Sequence, residues 1–133
     1  MVFLETFCAL AILAFSFANA DTKVSIKRGE EEITTYTEPL SKDKVPFECV
    51  AEGAVPKSFD WYIGDQKEHS SISSSPTAFW ARKLDAKKHY KKKLKCTVTF
   101  EDDSTKSVEV ELLMTCKLYV YAIRYFICVP NSL

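Results

Sequence analysis

Alternating apolar and polar positions recur along the chain and predict short β-strands. In residues 45–52 every second side chain from Phe47 onward is apolar, and Cys49 is one of them. Residues 92–100 repeat the pattern around Cys96. Because successive side chains of a strand point to opposite faces, both cysteines are predicted to point into a core.

Five further runs are rich in strand-forming residues, and turn-forming residues separate them. They cover residues 23–28, 33–37, 58–64, 79–84 and 106–113. Short strands at such spacing are typical of a β-sandwich. Between them, the serine-rich residues 70–75 are expected to form a flexible connection and the acidic residues 101–104 a turn.

Trp61 follows Cys49 by twelve positions, inside the run 58–64. The order Cys49, Trp61, Cys96 within alternating runs resembles the immunoglobulin superfamily. The resemblance implies an all-β fold, an immunoglobulin-like antiparallel β-sandwich of about seven strands with Greek-key connections. It also implies a disulfide between Cys49 and Cys96, packed on Trp61 in the core. Leu94 occupies the position where most members carry a tyrosine, which favours a divergent C2-like or I-like domain, including invertebrate cell-surface types.

The N-terminus has the features of a secretory signal. An apolar stretch at residues 7–17 precedes Ala18-Asn19-Ala20, a cleavage site of the small-residue type. We therefore expect a signal peptide at residues 1–20, an immunoglobulin-like domain at 21–113 and an extracellular location. The mature chain keeps four cysteines, which can form two disulfides in three different ways. The resemblance implies only the bond between Cys49 and Cys96.

An apolar tail occupies residues 114–133. It is long enough for a membrane helix, but Lys117 and Arg124 would each cost roughly 3 kcal/mol near the centre of one. Three interpretations stay open: a weak transmembrane segment, a tail that packs or associates through Cys116 or Cys128, and a non-native end of a longer parent protein.

Charge and motifs exclude several classes of function. The chain has 18 basic and 18 acidic residues, whereas nucleic-acid-binding proteins usually carry a basic excess. Its two histidines stand apart, without the spacing of metal ligands. It has neither a nucleophile motif nor a phosphate-binding loop. We expect no enzyme activity, no catalytic residue, no cofactor and no metal.

One basic run, residues 87–95, is a candidate polyanion site. Clustered ammonium groups attract polyanions such as heparan sulfate. The alternative is a solvated turn whose charge is balanced by the acidic residues 101–103. The candidate side chains are Lys87, Lys88, Lys91, Lys92, Lys93 and Lys95.

These observations predict an extracellular recognition module for cell-surface adhesion or receptor-type protein binding. The partner would be a protein, with a second copy of the chain as one option, and the tail offers a route to membrane association. The runs at residues 58–64, 92–100 and 106–113 and the turn at 101–104 are the expected contact surface. Two alternatives remain: a soluble secreted immune, decoy or polyanion-binding factor, and a structural spacer domain of a truncated multidomain protein.

Overall fold

The computed structural model describes residues 22–115, 117–121 and 125–129, which contain eleven strands and one helical turn, α1 (Ala86–His89). The predicted signal peptide lies outside these residues. The strands are β1 (Lys23–Arg28), β2 (Glu31–Glu32), β3 (Thr35–Tyr36), β4 (Val45–Glu52), β5 (Pro56–Ile63), β6 (Gln66–Ile72), β7 (Thr77–Arg82), β8 (Lys93–Phe100), β9 (Thr105–Leu112), β10 (Lys117–Tyr121) and β11 (Tyr125–Val129).

Two sheets pack face to face, which confirms the predicted all-β sandwich. The first has the strand order β2-β1-β4-β7 and the second the order β3-β9-β8-β5-β6. All pairs are antiparallel except β3 with β9. The chain changes sheets between β2 and β3, which belong to different sheets. Between these two strands, the Ile33 N–H donates to the Ile26 carbonyl at 3.0 Å.

The core consists of the apolar side chains that alternate along the long strands. On β5 the buried positions are Phe59, Trp61 and Ile63, and on β8 they begin with Leu94 and Cys96. Burying a large apolar side chain stabilises a fold by about 1.5–3 kcal/mol, so these strands hold much of the folding energy. The alternation read from the sequence is thus the alternation in the structure.

The disulfide joins Cys49 of β4 to Cys96 of β8, with 6.5 Å between their Cα atoms. Since β4 and β8 belong to different sheets, the bond crosses the sandwich interior. Trp61 lies directly opposite Cys96 in the pairing of β5 with β8, and none of its surface is exposed. The expected pairing and the core position of Trp61 are both confirmed.

One strand, β6, was not anticipated, and the expectation that residues 70–75 form a flexible connection was wrong for its first half. Ser70 pairs with Asp60 and Ile72 pairs with Ser58, as β6 runs along the sheet edge. The strand has few apolar residues. Five of its seven side chains are exposed, and the other two are half-buried. Its order comes from ladder hydrogen bonds to β5 rather than from an apolar face.

Side chains of β6 and β7 close one open side of the sandwich, where the two sheets end. The His69 ring stacks on Trp80 with 6.2 Å between centroids, and Trp80 lies 5.5 Å from the Trp61 ring. Glu68 and Arg82 form an ion pair beside this stack, with 3.7 Å between Oε2 and Nε. An aromatic stack and an ion pair therefore link the two sheets at this margin.

Two strands in the tail pair with each other. Strands β10 and β11 pair antiparallel from Lys117 opposite Val129 to Tyr121 opposite Tyr125. In the described part of the chain, no helix is long and apolar enough to cross a membrane. Cys128 lies in β11, while Cys116 lies outside the described residues. The packed core itself extends to Met114, and Thr115 bridges to Pro39.

We predict that reduction of the disulfide lowers the unfolding free energy by about 4 kcal/mol. The bond closes a loop with a sequence separation of 47 residues, and opening it restores chain entropy to the unfolded state. Urea unfolding of the oxidised and reduced protein, followed by tryptophan fluorescence, measures the difference. The double variant C49A/C96A should match the reduced protein, and a loss below about 1 kcal/mol would contradict the prediction.

Candidate functional site: the two ends of the sandwich

The outer face of the five-stranded sheet is polar, and its side chains interact with one another. Lys93 pairs with Glu109 at 3.4 Å, and the Lys95 ammonium lies 4.6 Å from the centre of the Tyr62 ring. Asp60 accepts from Ser70 at 2.5 Å and pairs with Lys67, and Thr97 shares a hydrogen bond with Ser107. This face leaves little unsatisfied charge or apolar surface for a partner, so the ends of the sandwich are the better candidates.

The end that carries the turns at residues 53–55, 73–76 and 101–104 is called the acidic end. Hydrogen bonds and an ion pair connect these turns to one another. The Glu101 N–H donates to the Val55 carbonyl at 3.1 Å, and the Ser73 N–H donates to the Lys57 carbonyl at 3.2 Å. Lys57 also pairs with Asp103 at 2.9 Å. Three turns are thereby held in fixed relative positions.

The predicted turn at residues 101–104 is confirmed, and it stays charged. The backbone N–H and the hydroxyl of Ser104 both donate to Asp102 Oδ1, at 3.0 and 2.5 Å. These two hydrogen bonds favour the carboxylate and lower the pKa of Asp102. Asp103 adopts a left-handed backbone with φ of 65°, which reverses the chain. The turn therefore presents an ordered negative charge.

Two large apolar side chains are exposed at the acidic end. Ile72 ends β6 with 92% of its surface exposed, and Val55 precedes β5 with 49% exposed. Neither exposure could be predicted from the sequence, because the exposure of a side chain depends on what packs above it. Phe79, which is 69% exposed, lies instead on β7 in the other sheet. Apolar surface beside ordered carboxylates is a common composition for a protein-binding surface.

The opposite end, with the turn at residues 64–65 and the segment 83–92, is called the basic end. The alternative in which the acidic residues 101–103 balance the lysine run was wrong, because the run ends within the first residues of β8 whereas residues 101–103 follow the other end of this strand. The run is also divided: Lys93 and Lys95 lie on the outer sheet face, and Lys91 has φ of 65° with its ammonium 5.8 Å from the Tyr90 ring.

The remaining three lysines of the run converge on a cavity of about 310 Å³. Arg82 of β7 also lines this cavity. It lies outside the lysine run, so a search for clustered basic residues in the sequence would not include it. The lining residues are Ile63, Gln66, Glu68, Arg82, Lys87, Lys88, His89 and Lys92. The structure therefore brings together half of the predicted polyanion-binding residues and adds an arginine that sequence reasoning missed.

His89 is the buried polar anchor of this end, with 5% of its surface exposed. Its Nδ1 accepts the N–H of Asp85 at 2.8 Å, while Asp85 caps α1 by accepting from the N–H groups of Lys87 and Lys88. Burial lowers the pKa of His89, and Arg82 lowers it further, against weaker opposing effects of nearby carboxylates. The imidazole is therefore neutral at pH 7 and holds the corner in place.

Comparison with protein-family models and with curated proteins finds no match for this sequence. Within residues 22–115, 117–121 and 125–129, no group of three or more histidine, cysteine, aspartate or glutamate side chains is placed to hold a metal ion. The arrangement that the chain does offer is two ends of opposite character, one apolar and acidic, the other basic and recessed.

We predict that acidification from about pH 7.5 to about pH 5 destabilises the protein through His89. Because its pKa in the folded state lies below the ordinary 6.5, the unfolded chain binds the proton first. The contribution of neutral His89 to the unfolding free energy is complete above pH 6.5. It is lost as the pH falls through the pKa that His89 has in the folded protein. Urea midpoints across this range give the measurement.

The matched variants separate His89 from the other titrating groups. His89→Asn keeps an acceptor for the Asp85 N–H but does not titrate, so its pH dependence in this window should be flatter than that of the wild type. His69→Gln removes the other histidine, so the pH dependence that this variant retains cannot come from His69. A steep slope that persists in His89→Asn would contradict the assignment.

Proposed function

We propose that the protein is an extracellular recognition module of the immunoglobulin-like type, which binds a protein partner through its acidic end and performs no chemistry. The observation that carries the proposal is the exposure of Val55 and Ile72 on turns that are held by hydrogen bonds and by the Lys57–Asp103 ion pair. The secretory signal and the Cys49–Trp61–Cys96 arrangement read from the sequence support the extracellular and immunoglobulin-like parts of the proposal.

The acidic end is suited to binding because its apolar groups need little reorganisation. Fully burying a valine or isoleucine side chain contributes about 1.5–3 kcal/mol, and ordered turns reduce the entropy lost on association. Carboxylates at the rim, such as Asp102, favour a partner with a basic rim and speed the encounter with it. Adhesion and receptor-type binding both need a surface of this kind.

We predict that V55S/I72S weakens binding to cells by at least about tenfold, because both apolar contacts are lost. The tagged full-length secreted protein is titrated onto cells of the organism that produces it, and bound protein is measured by flow cytometry. Saturable binding should disappear after the cells are treated with trypsin, since the partner is a protein.

Phe79→Ser is the matched control, because it removes an exposed apolar side chain that lies on a strand of the other sheet and outside the turns of the acidic end. It should bind as the wild type does. Absence of saturable binding would contradict the proposal, and so would an equal loss in the two variants. Binding that disappears after heparinase treatment alone, without trypsin, would assign recognition to a glycan instead of a protein.

A further inference from the structure

Four cationic side chains from three different elements surround the cavity at the basic end. Arg82 comes from β7, Lys87 and Lys88 from α1, and Lys92 from the turn before β8. We propose that this cavity is a binding site for a sulfated glycan chain, with a sulfate group held among these four side chains. The proposal uses the extracellular location proposed above, but it does not depend on the acidic end.

The backbone that carries these side chains is fixed in position. The Lys91 N–H donates to the Leu112 carbonyl at 2.8 Å, and the Leu112 N–H donates to the Lys92 carbonyl at 2.9 Å. The segment between α1 and β8 is thereby attached to β9. The Asp85 cap and the buried His89 hold α1 in the same way. An anion would meet cations whose main chain needs no rearrangement.

The Lys92 side chain is directed along the turn at residues 64–65. A Cβ atom placed on Gly64 would lie 3.6 Å from Lys92 Cδ, so the apolar stem of the lysine passes directly over this glycine. Lys92 is also among the residues that line the cavity. Gln66, which follows the same turn, adds an amide that can bond to sugar hydroxyls.

The positive charge of the cavity is not neutralised from within. Among residues 22–115, Lys87, Lys88 and Lys92 form no ion pair, whereas Lys93 of the same run pairs with Glu109. Glu68 is the carboxylate that lines the cavity, and it faces Arg82. One carboxylate against four cations leaves a net positive site, and a recess between low-dielectric walls concentrates that field.

The shape of the site favours a glycan over a lipid headgroup or a nucleic acid. The cavity is recessed and mostly polar, so a sulfate group that projects from a flexible chain can enter it. Headgroups of a bilayer lie in one plane and would meet the rim first. The chain as a whole carries no basic excess for a nucleic acid to recognise. A volume of about 310 Å³ accommodates a sulfate with part of its sugar ring.

The test is the affinity of the full-length protein for a heparin-derived hexasaccharide, measured by isothermal titration calorimetry in about 0.15 M NaCl. We expect K87Q/K88Q/K92Q to lose at least about tenfold in affinity. The control K91Q/K93Q/K95Q removes the same charge from the same run, outside the cavity, and should stay within about twofold of the wild type. Chemically desulfated hexasaccharide should not bind.

A gain of affinity provides a test that misfolding cannot imitate. Glu68→Gln removes the carboxylate of the cavity while keeping a polar side chain beside Arg82, and it should tighten hexasaccharide binding several-fold. An unchanged or weaker affinity of this variant would overturn the proposal.

Three other results would also overturn it. The first is a wild type that does not bind the hexasaccharide. The second is a control triple variant that loses as much affinity as K87Q/K88Q/K92Q, which would indicate a diffuse charge effect. Binding to vesicles of about one third phosphatidylserine in phosphatidylcholine, without hexasaccharide binding, would assign the basic end to membranes. Failure here leaves trypsin-sensitive cell binding through the acidic end unaffected, so the two proposals fail separately.

Discussion

The contact among Cys49, Cys96 and Trp61 is the constraint on which the rest of the molecule depends. The disulfide fixes β4 to β8 across the interior, and Trp61 of β5 lies opposite Cys96 in the adjacent strand. Once these three strands are in register, the positions of the turns at both ends follow, because each long strand runs only a few residues beyond this centre. Both candidate binding surfaces are therefore consequences of the core.

The parts of the fold that the sequence predicted well are those in which burial alternates along a strand. Cys49 and Cys96 stood in such runs, and their strands and pairing were confirmed. Strand β6 escaped prediction because it lies at a sheet edge, where ladder hydrogen bonds order the backbone without an apolar face. Greek-key connectivity and membership of the immunoglobulin superfamily remain predictions.

The binding surfaces were less predictable, since they combine residues that are distant in the chain. The alternation of Lys93 and Lys95 with buried Leu94 already implied that these lysines leave the cluster for the sheet face. No local sequence pattern placed Arg82 beside the lysines of the cavity, because their proximity requires β7 to meet α1 in space. Exposure of Ile72 likewise depends on the absence of covering atoms, which a linear pattern does not encode.

The separation of charge between the two ends gives the domain an electric dipole moment. The formal net charge of the whole chain is zero, yet the cationic cavity and the carboxylates of the turn at residues 101–104 are separated by the length of β8, about 25 Å for its eight residues. In an external electric field, such a distribution of charge experiences a torque. A polyanion near the domain would turn the cavity toward itself, and Val55 and Ile72 at the opposite end would stay accessible to the protein partner proposed above.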